Sequence, residues 1–182
     1  NPYPYGQKVC LFGIGNTGAA SNNVTAKEVK YNEYNVSGMI PFRYTNDALT
    51  TSEAKQYWGK KTDSSTNILG YYLKTFDNDP VIHHLFLDGE EGEDGTAVDQ
   101  DYLLNGSTYG VESFTEINLT ITKKDVREWY EAHGEIDECI INSLGLYTAY
   151  YDSSTKDYLN IQLFSKLNIP FKYSPSATNS LL

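Results

Sequence analysis

The sequence lacks the short motifs by which many enzyme sites are recognised. It has no G-x-S-x-G turn, no H-E-x-x-H pair, no C-x-x-C pair and no phosphate-binding loop. Its histidines number only three, and His83 and His84 are adjacent, so in a strand they point to opposite faces and cannot hold one ion together. The sequence therefore predicts a protein that is not an enzyme and has no cofactor.

Basic residues and long apolar runs are also scarce. Lysine and arginine total 14 against 24 aspartates and glutamates, which gives a formal net charge of -10. Strong binding to nucleic acid or to an anionic membrane surface requires clustered positive charge. No run approaches the roughly 20 apolar residues that a membrane helix needs. We therefore expect neither specific nucleic-acid binding nor a membrane partner.

Cysteine occurs only twice, at Cys10 and Cys139. Both lie in apolar runs that are typical of strands, where a free cysteine packs as a small hydrophobic side chain. We expect two buried free thiols. A disulfide between them, which would close a long loop, stays open as the alternative.

Strand-forming residues are abundant, and the C-terminal third shows the clearest pattern. Residues 139–151 and 158–171 are rich in β-branched and aromatic side chains, and residues 152–155 form a polar turn between them. The sequence predicts a hairpin of two long strands. Pro170 is expected to end the second strand, because proline has no N–H to donate to a sheet.

Shorter runs of the same character precede this hairpin. They are bounded by turn residues and comprise residues 8–14, 36–44, 68–76, 81–87 and 114–122. The sequence therefore predicts a mainly β chain that forms a single domain over residues 1–182, as a β-sandwich or a distorted barrel. Residues 1–6 and 172–182 show no periodicity and are expected to be extended terminal arms.

Two short α-helices interrupt the predicted strands, at residues 51–58 and 123–132. The first has Thr51 or Ser52 as its N-terminal cap and Gly59 as a left-handed stop. The second follows a Thr-x-x-Asp sequence that resembles a capping box, and its apolar stripe is expected to join the core.

A glycine-rich motif follows the first strand. Gly13, Gly15 and Gly18 match the G-x-G-x-x-G pattern of dinucleotide-binding folds. The residues that follow lack the rhythm of an amphipathic helix, which that fold requires. The context favours a glycine-rich turn over a nucleotide site.

A dense acidic run follows residue 87. Carboxylates at this density can hold a hard cation such as calcium, and the candidate ligands are Asp88, Glu90, Glu91, Glu93 and Asp94. Their spacing does not fit the calcium-loop pattern. Repelling charges and interspersed glycines favour an exposed loop without a metal, and a cation or a basic partner is the alternative.

The sequence INSLGLYTAYYDSSTKDYLNIQLFSKLNIPF, residues 141–171, resembles a recurring end of virion proteins of tailed bacteriophages. A Gly-Leu-Tyr strand, a turn and a Phe-x-x-Leu-x-x-Pro stretch carry the resemblance. The pieces LDGEEGEDGT (87–96) and FGIGNTGA (12–19) are similar to parts of such proteins, whereas residues 20–66 have no counterpart. The resemblance implies a structural subunit of the neck, tail or baseplate, located in the virion, present as a ring of copies and without catalysis.

In that role the terminal arms and sheet edges would bind copies of the chain and other virion proteins. The predicted interface residues are Tyr3, Tyr5, Tyr173, Pro175, Leu181 and Leu182. A second hypothesis is a secreted or surface carbohydrate-binding β-sandwich module. Its stacking platforms would be Tyr71, Tyr72, Tyr150 and Tyr151. A third hypothesis is an enzyme that uses the acidic loop.

Overall fold

A computed structural model describes most of the chain. The described residues are 6–20, 25–30, 32–86, 111–122, 124–133 and 139–173. The chain divides into two compact units, one made of Asn1–Thr75 with Ile121–Leu182 and the other of Phe76–Thr120. The described residues are mainly β-strand, which confirms that part of the predicted fold class, whereas the predicted sandwich or barrel form is not confirmed.

Nine strands are present in the described residues. They are β1 (Lys8–Gly15), β2 (Met39–Ile40), β3 (Arg43–Tyr44), β4 (Tyr57–Thr62), β5 (Leu69–Thr75), β6 (Val81–Phe86), β7 (Val111–Glu116), β8 (Ile141–Asp152) and β9 (Asp157–Tyr173). Seven of them form one antiparallel sheet, in the order β3-β5-β1-β8-β9, with β2 also paired to β1 and β4 to β5. The first strand of the chain is therefore central in the sheet, and β9 is at an edge.

The core lies on both sides of β1, because successive residues of a strand point to opposite faces. On one face the Phe12 ring packs edge-on against Phe42, with ring centres 5.2 Å apart. On the other face Leu11 joins a cluster with Leu73 and Tyr147. Burial on two faces explains why β1 reads as a continuous apolar run and not as an alternating one.

The predicted C-terminal hairpin is confirmed by β8 and β9, but Pro170 does not end the second strand. β9 continues to Tyr173, which pairs with Ile141. The next pair is Ser143 with Asn168, so Pro170 lies in an irregular stretch where the register shifts. An edge strand tolerates proline at such a bulge, since no neighbour needs its N–H.

The helix predicted at residues 51–58 is not confirmed. Only Glu53–Lys55 form a 3-10 helix, and Tyr57 begins β4. The capping exchange lies one residue before the predicted caps: the Thr50 N–H donates to Glu53 Oε2 (2.9 Å), and the Glu53 N–H donates to Thr50 Oγ1 (3.2 Å). Gly59 does adopt a left-handed φ of 64°, but inside β4.

The second predicted helix is also not confirmed over its full length. The helix α1 spans Arg127–Ala132 and begins after Val126, whose φ of 62° is rare for a β-branched residue. The Val126 N–H donates to the Phe42 carbonyl (2.8 Å), which takes it out of helical bonding. The apolar stripe does reach the core, because Val126 and Tyr130 are buried.

In the described part of the second unit, β6 and β7 form an antiparallel pair, from Val81 with Glu116 to Phe86 with Val111. The strand predicted over residues 114–122 is therefore wrong beyond Glu116. Apolar and polar residues still alternate in exposure there, because Ile117 and Leu119 are half-buried while their neighbours are exposed. The prediction of a single domain remains a prediction.

Candidate functional site

Most residues of the predicted sites lie outside the described part of the chain. These are the acidic residues Asp88, Glu90, Glu91, Glu93 and Asp94 and the arm residues Tyr3, Tyr5, Pro175, Leu181 and Leu182. Tyr173 is the last residue of β9. Within the described ranges, no group of three or more histidine, cysteine or acidic side chains is placed to hold a metal ion. None of the helices described there is long and apolar enough to cross a membrane.

The glycine motif does not form a turn. Gly13 and Gly15 lie inside β1, and no helix occurs in residues 16–20 or 25–30. A Cβ on Gly15 would overlap the Ser37 carbonyl oxygen, and one on Gly18 would overlap the Asn142 carbonyl oxygen. Gly15 and Gly18 thus let neighbouring backbone approach closely, which is a structural use of glycine.

No disulfide joins Cys10 and Cys139 in the structure. Cys10 is buried and Cys139 is half-buried. Burial raises the pKa of each thiol, and for Cys139 the Glu131 carboxylate raises it further. Neither thiol therefore has the lowered pKa of a nucleophilic cysteine.

A buried ionic cluster fixes the region around β4, β5 and α1. The Asp125 carboxylate has no exposed surface, and it accepts hydrogen bonds from the Tyr57 hydroxyl (2.7 Å), Lys74 Nζ (2.9 Å) and the Thr122 N–H (2.6 Å). Burial and the Asp125 carboxylate raise the pKa of Tyr57. The contact with Thr122 is half of the expected capping box, but Asp125 also neutralises Lys74 and so serves the core.

Arg43 is the second buried cation of this region. Its guanidinium forms ion pairs with Asp47, Glu53 (3.4 Å) and Glu128 (3.6 Å). Glu128 also accepts the N–H of Tyr44 (2.8 Å). The three carboxylates come from the chain itself, so this positive charge is compensated without a ligand.

A hydrogen-bonded series leads from β3 to the end of α1. The Asp63 carboxylate accepts from the Tyr44 hydroxyl (2.5 Å) and from Ser65 Oγ (2.7 Å). Burial would raise the pKa of Asp63, but these hydrogen bonds lower it overall. His133 contacts Ser65 Oγ through Nε2 (3.0 Å) and the Trp129 carbonyl, near the end of the helix, through Nδ1 (2.7 Å).

The pairing of a serine with a histidine does not make this series a nucleophilic site. Ser65 has one hydroxyl hydrogen, and the Asp63 carboxylate accepts it. The Ser65 hydroxyl hydrogen is therefore directed at Asp63 and not at His133, whereas a serine nucleophile must transfer its proton to the histidine. The arrangement ties the turn after β4 to α1, which is a structural role.

β9 exposes three large apolar side chains, which we name the β9 surface: Leu159, Phe164 and Leu167. Their exposed fractions are 42%, 65% and 56%. Phe164 is an extra residue in the strand, because Ser165 pairs with Leu146 and Leu163 pairs with Tyr147. This β-bulge leaves Phe164 without a cross-strand partner and directs it to solvent.

β9 carries two of the features that protect edge strands, an irregular register and Pro170, but it exposes no charged side chain between Leu159 and Leu167. Within the described residues it pairs only with β8. Charged side chains commonly guard such edges. Lys166, the only charged residue between Leu159 and Leu167, is instead buried in an ion pair with Glu33. Sequence reasoning placed β9 correctly but missed this surface, since alternation alone does not reveal a bulge.

The tyrosines proposed as sugar platforms differ in exposure. Tyr72 is buried and Tyr71 and Tyr150 are half-buried, so Tyr151 is the exposed member of the four. Its ring lies edge-on to Trp58 (6.1 Å) and Tyr158 (5.1 Å). Tyr151 is therefore already packed in an aromatic cluster of the hairpin end.

No protein-family model, no curated protein and no solved structure matches the chain. The surfaces described above are therefore the basis on which a function is proposed.

Proposed function

We propose that the chain is a structural subunit of a tailed-phage particle, of the neck, tail or baseplate type, and that it assembles as a ring of copies through its β9 surface. The exposure of Phe164 and Leu167 on β9, which within the described residues pairs only with β8, carries this proposal. Large apolar side chains exposed on a long edge strand are typical of a protein interface.

The shape of β9 indicates how a neighbour would bind. Its register shifts near Phe164, near Asn160, which has a φ of 52°, and near Pro170. A partner strand could add to β9 only over the short stretches between these irregularities. Side-chain packing on the β9 surface would therefore contribute more to the interface than a continuous ladder of hydrogen bonds.

The proposal keeps the rest of the sequence-based expectation. The subunit would be a sandwich or a distorted barrel, and its arms would strap it to neighbours. Because β9 extends to Tyr173, the predicted C-terminal arm at 172–182 is shortened to residues 174–182. Its net charge of -10 suits a particle component that does not trap DNA.

Light scattering on the purified chain tests the proposal. We expect a ring-sized oligomer for the unchanged chain and a monomer for the double variant Phe164→Ser with Leu167→Ser. Both side chains are exposed, so the variant should keep its circular dichroism spectrum. Leu69→Ser is the matched control, since Leu69 is an exposed leucine on β5, away from β9 in the strand order. It should assemble normally.

Two results would contradict this assembly. One is a monomeric unchanged chain at all accessible concentrations, and the other is an oligomer that the double variant leaves intact. Removal of residues 174–182, which retains all of β9, separates the two contributions. Collapse of the ring in that variant would assign part of the assembly to the C-terminal arm.

A further inference from the structure

A groove of about 650 Å³ is lined by parts of β2, β4, β5, β8 and β9 and by residues just before β2. This volume lies in the range of small-molecule binding sites. The groove belongs entirely to the first unit. The lining side chains that bear on ligand binding are those of Tyr34, Asn35, Lys61, Tyr72 and Gln162.

Glycines keep the groove open. A Cβ on Gly13 would lie 3.0 Å from Met39 Cε and 3.1 Å from Tyr147 Cε2, two side chains that line the groove. Gly59 also lines it and has a left-handed φ, and a Cβ there would lie 2.9 Å from Leu73 Cδ1. Larger residues at these positions would crowd the side chains that form the groove.

The charged groups at the groove are cationic. Lys60 and Lys61 line it, and no aspartate or glutamate is among its described lining residues. Lys61 Nζ lies 5.9 Å from the centre of the Tyr72 ring, which also lines the groove. In a chain of net charge -10 this local excess of positive charge is unusual. It favours an anionic ligand.

The neutral side chains suit a ligand that has both flat apolar faces and hydroxyl groups. The Tyr34 ring is 81% exposed at the groove and offers a face for stacking. Asn35 and Gln162 are exposed amides, each of which can donate and accept hydrogen bonds. A pyranose ring has this combination of C–H faces and hydroxyl groups.

A buried polar group at the groove lacks a partner. The Tyr147 side chain is 3% exposed, and its hydroxyl has no hydrogen-bond partner. The Val36 backbone is close enough to influence this hydroxyl, but it does not meet hydrogen-bond geometry. An unsatisfied buried hydroxyl is costly. Because this hydroxyl has almost no exposed surface, Tyr147 forms part of the wall of the groove and does not contact a ligand in it.

We propose that this groove is a binding site for an acidic saccharide, a sugar whose ring carries a carboxylate. Lys61 would bind the carboxylate, Tyr34 would stack on a sugar face, and the amides of Asn35 and Gln162 would bind hydroxyl groups. This site is distinct from the β9 surface and does not depend on assembly.

Calorimetric titration with matched ligands tests the site. Trigalacturonate, a hyaluronate tetrasaccharide and sialyllactose would each be compared with the methyl ester of the same sugar. We expect at least one acid to bind about tenfold more tightly than its ester, since a charge-assisted hydrogen bond is lost on esterification. Lys61→Gln should reduce that preference to near unity.

Two further variants separate binding from folding. Tyr34→Ala removes an exposed ring and should weaken the acid and the ester alike, by about tenfold. Lys156→Gln, in the exposed turn between β8 and β9, should bind as the unchanged chain does. Circular dichroism would confirm that all variants are folded.

The proposal would be overturned if none of the three acids bound at millimolar concentration, or if acid and ester bound equally. Tighter binding of a single-stranded oligonucleotide than of any acidic sugar would also overturn it. The double variant at Phe164 and Leu167 leaves the groove lysine and tyrosine in place, so failure of assembly and failure of sugar binding can be told apart.

Discussion

The two ends of the large sheet differ in whether their side chains find partners within the chain. Around β3, β4 and β5 the cations Arg43 and Lys74 are buried, and carboxylates of the same chain neutralise each of them. Along β9 the chain leaves Phe164 and Leu167 in solvent. The first region is completed internally, whereas the second is left open to another molecule.

This contrast separates stability from association. Substitutions in the region of buried ions should cost folding free energy, because a charge without its partner cannot be rehydrated in place. Substitutions on β9 should cost little folding free energy and should act on binding instead.

The largest effect is expected for Asp125→Ala. The variant leaves the Lys74 ammonium buried without its carboxylate and should lose about 3–5 kcal/mol of unfolding free energy. Urea unfolding followed by tryptophan fluorescence would measure it. Asp157→Ala, at an exposed residue that begins β9, is the control and should change stability by no more than about 0.5 kcal/mol. A loss below about 1 kcal/mol for Asp125→Ala would contradict the role assigned to this cluster.

Gly15→Ala should come next. The new methyl group meets the Ser37 backbone, which cannot rotate away, so we expect a loss of about 1–3 kcal/mol or more. Gly13→Ala is the matched comparison in the same strand. Its nearest atoms are the ends of side chains, which can move, so its melting temperature should fall by less. The reverse order would show that the backbone contact at Gly15 is not tight.

A smaller effect should appear at alkaline pH. Burial raises the pKa of Tyr72 and of Tyr147 to about 12, from an ordinary value of 10.0. In the unfolded chain these groups ionise near pH 10, but in the folded chain they stay neutral up to a higher pH. Their contribution to stability is therefore complete below pH 10 and is lost as the pH rises from 10 to about 12.

Absorbance of tyrosinate would measure this titration. A late-titrating group of tyrosines should be seen in the folded chain and should disappear in urea. Tyr147→Phe should remove one member of the late group while the chain stays folded. A single transition near pH 10 in the folded chain would contradict the burial of these hydroxyls.

The smallest effect on folding is expected for Phe164→Ser. The side chain is mostly exposed and lies on a bulge, so the unfolding free energy of the monomer should change by no more than about 0.5 kcal/mol. Chemical denaturation at a concentration too low for assembly would measure it. A large loss would place Phe164 in the core and remove the contrast between the two regions.

The parts of the fold that sequence predicts well are local. In the hairpin of β8 and β9 the turn lies directly between the two strands in the sequence. Both the turn and the strand patterns can therefore be recognised from that stretch alone. The central place of β1 is not readable in this way, because β8 lies far along the sequence. The continuation of β9 past Pro170 could not be predicted either. It depends on the position of β9 at the edge of the sheet, which is defined only when all the strands have paired.

The sites were harder to predict for a related reason. Lys74 lies in a strand, where lysine normally marks an exposed face, and only its pairing with Asp125 makes burial tolerable. Val126 continues an apolar helical pattern, but its bond to the Phe42 carbonyl imposes a left-handed backbone. Both outcomes depend on contacts between segments distant in sequence, which periodicity does not report.

The central position of β1 has a consequence for biosynthesis. As the chain emerges from the ribosome, β1 is made long before β8, the strand that pairs with it along most of its length. Until then Leu11, Phe12 and Ile14 lack the environment that buries them in the finished sheet. The hairpin of β8 and β9 can form as soon as it is made. Completion of the sheet therefore waits for the last strands, and the nascent chain must be kept from aggregating in the meantime.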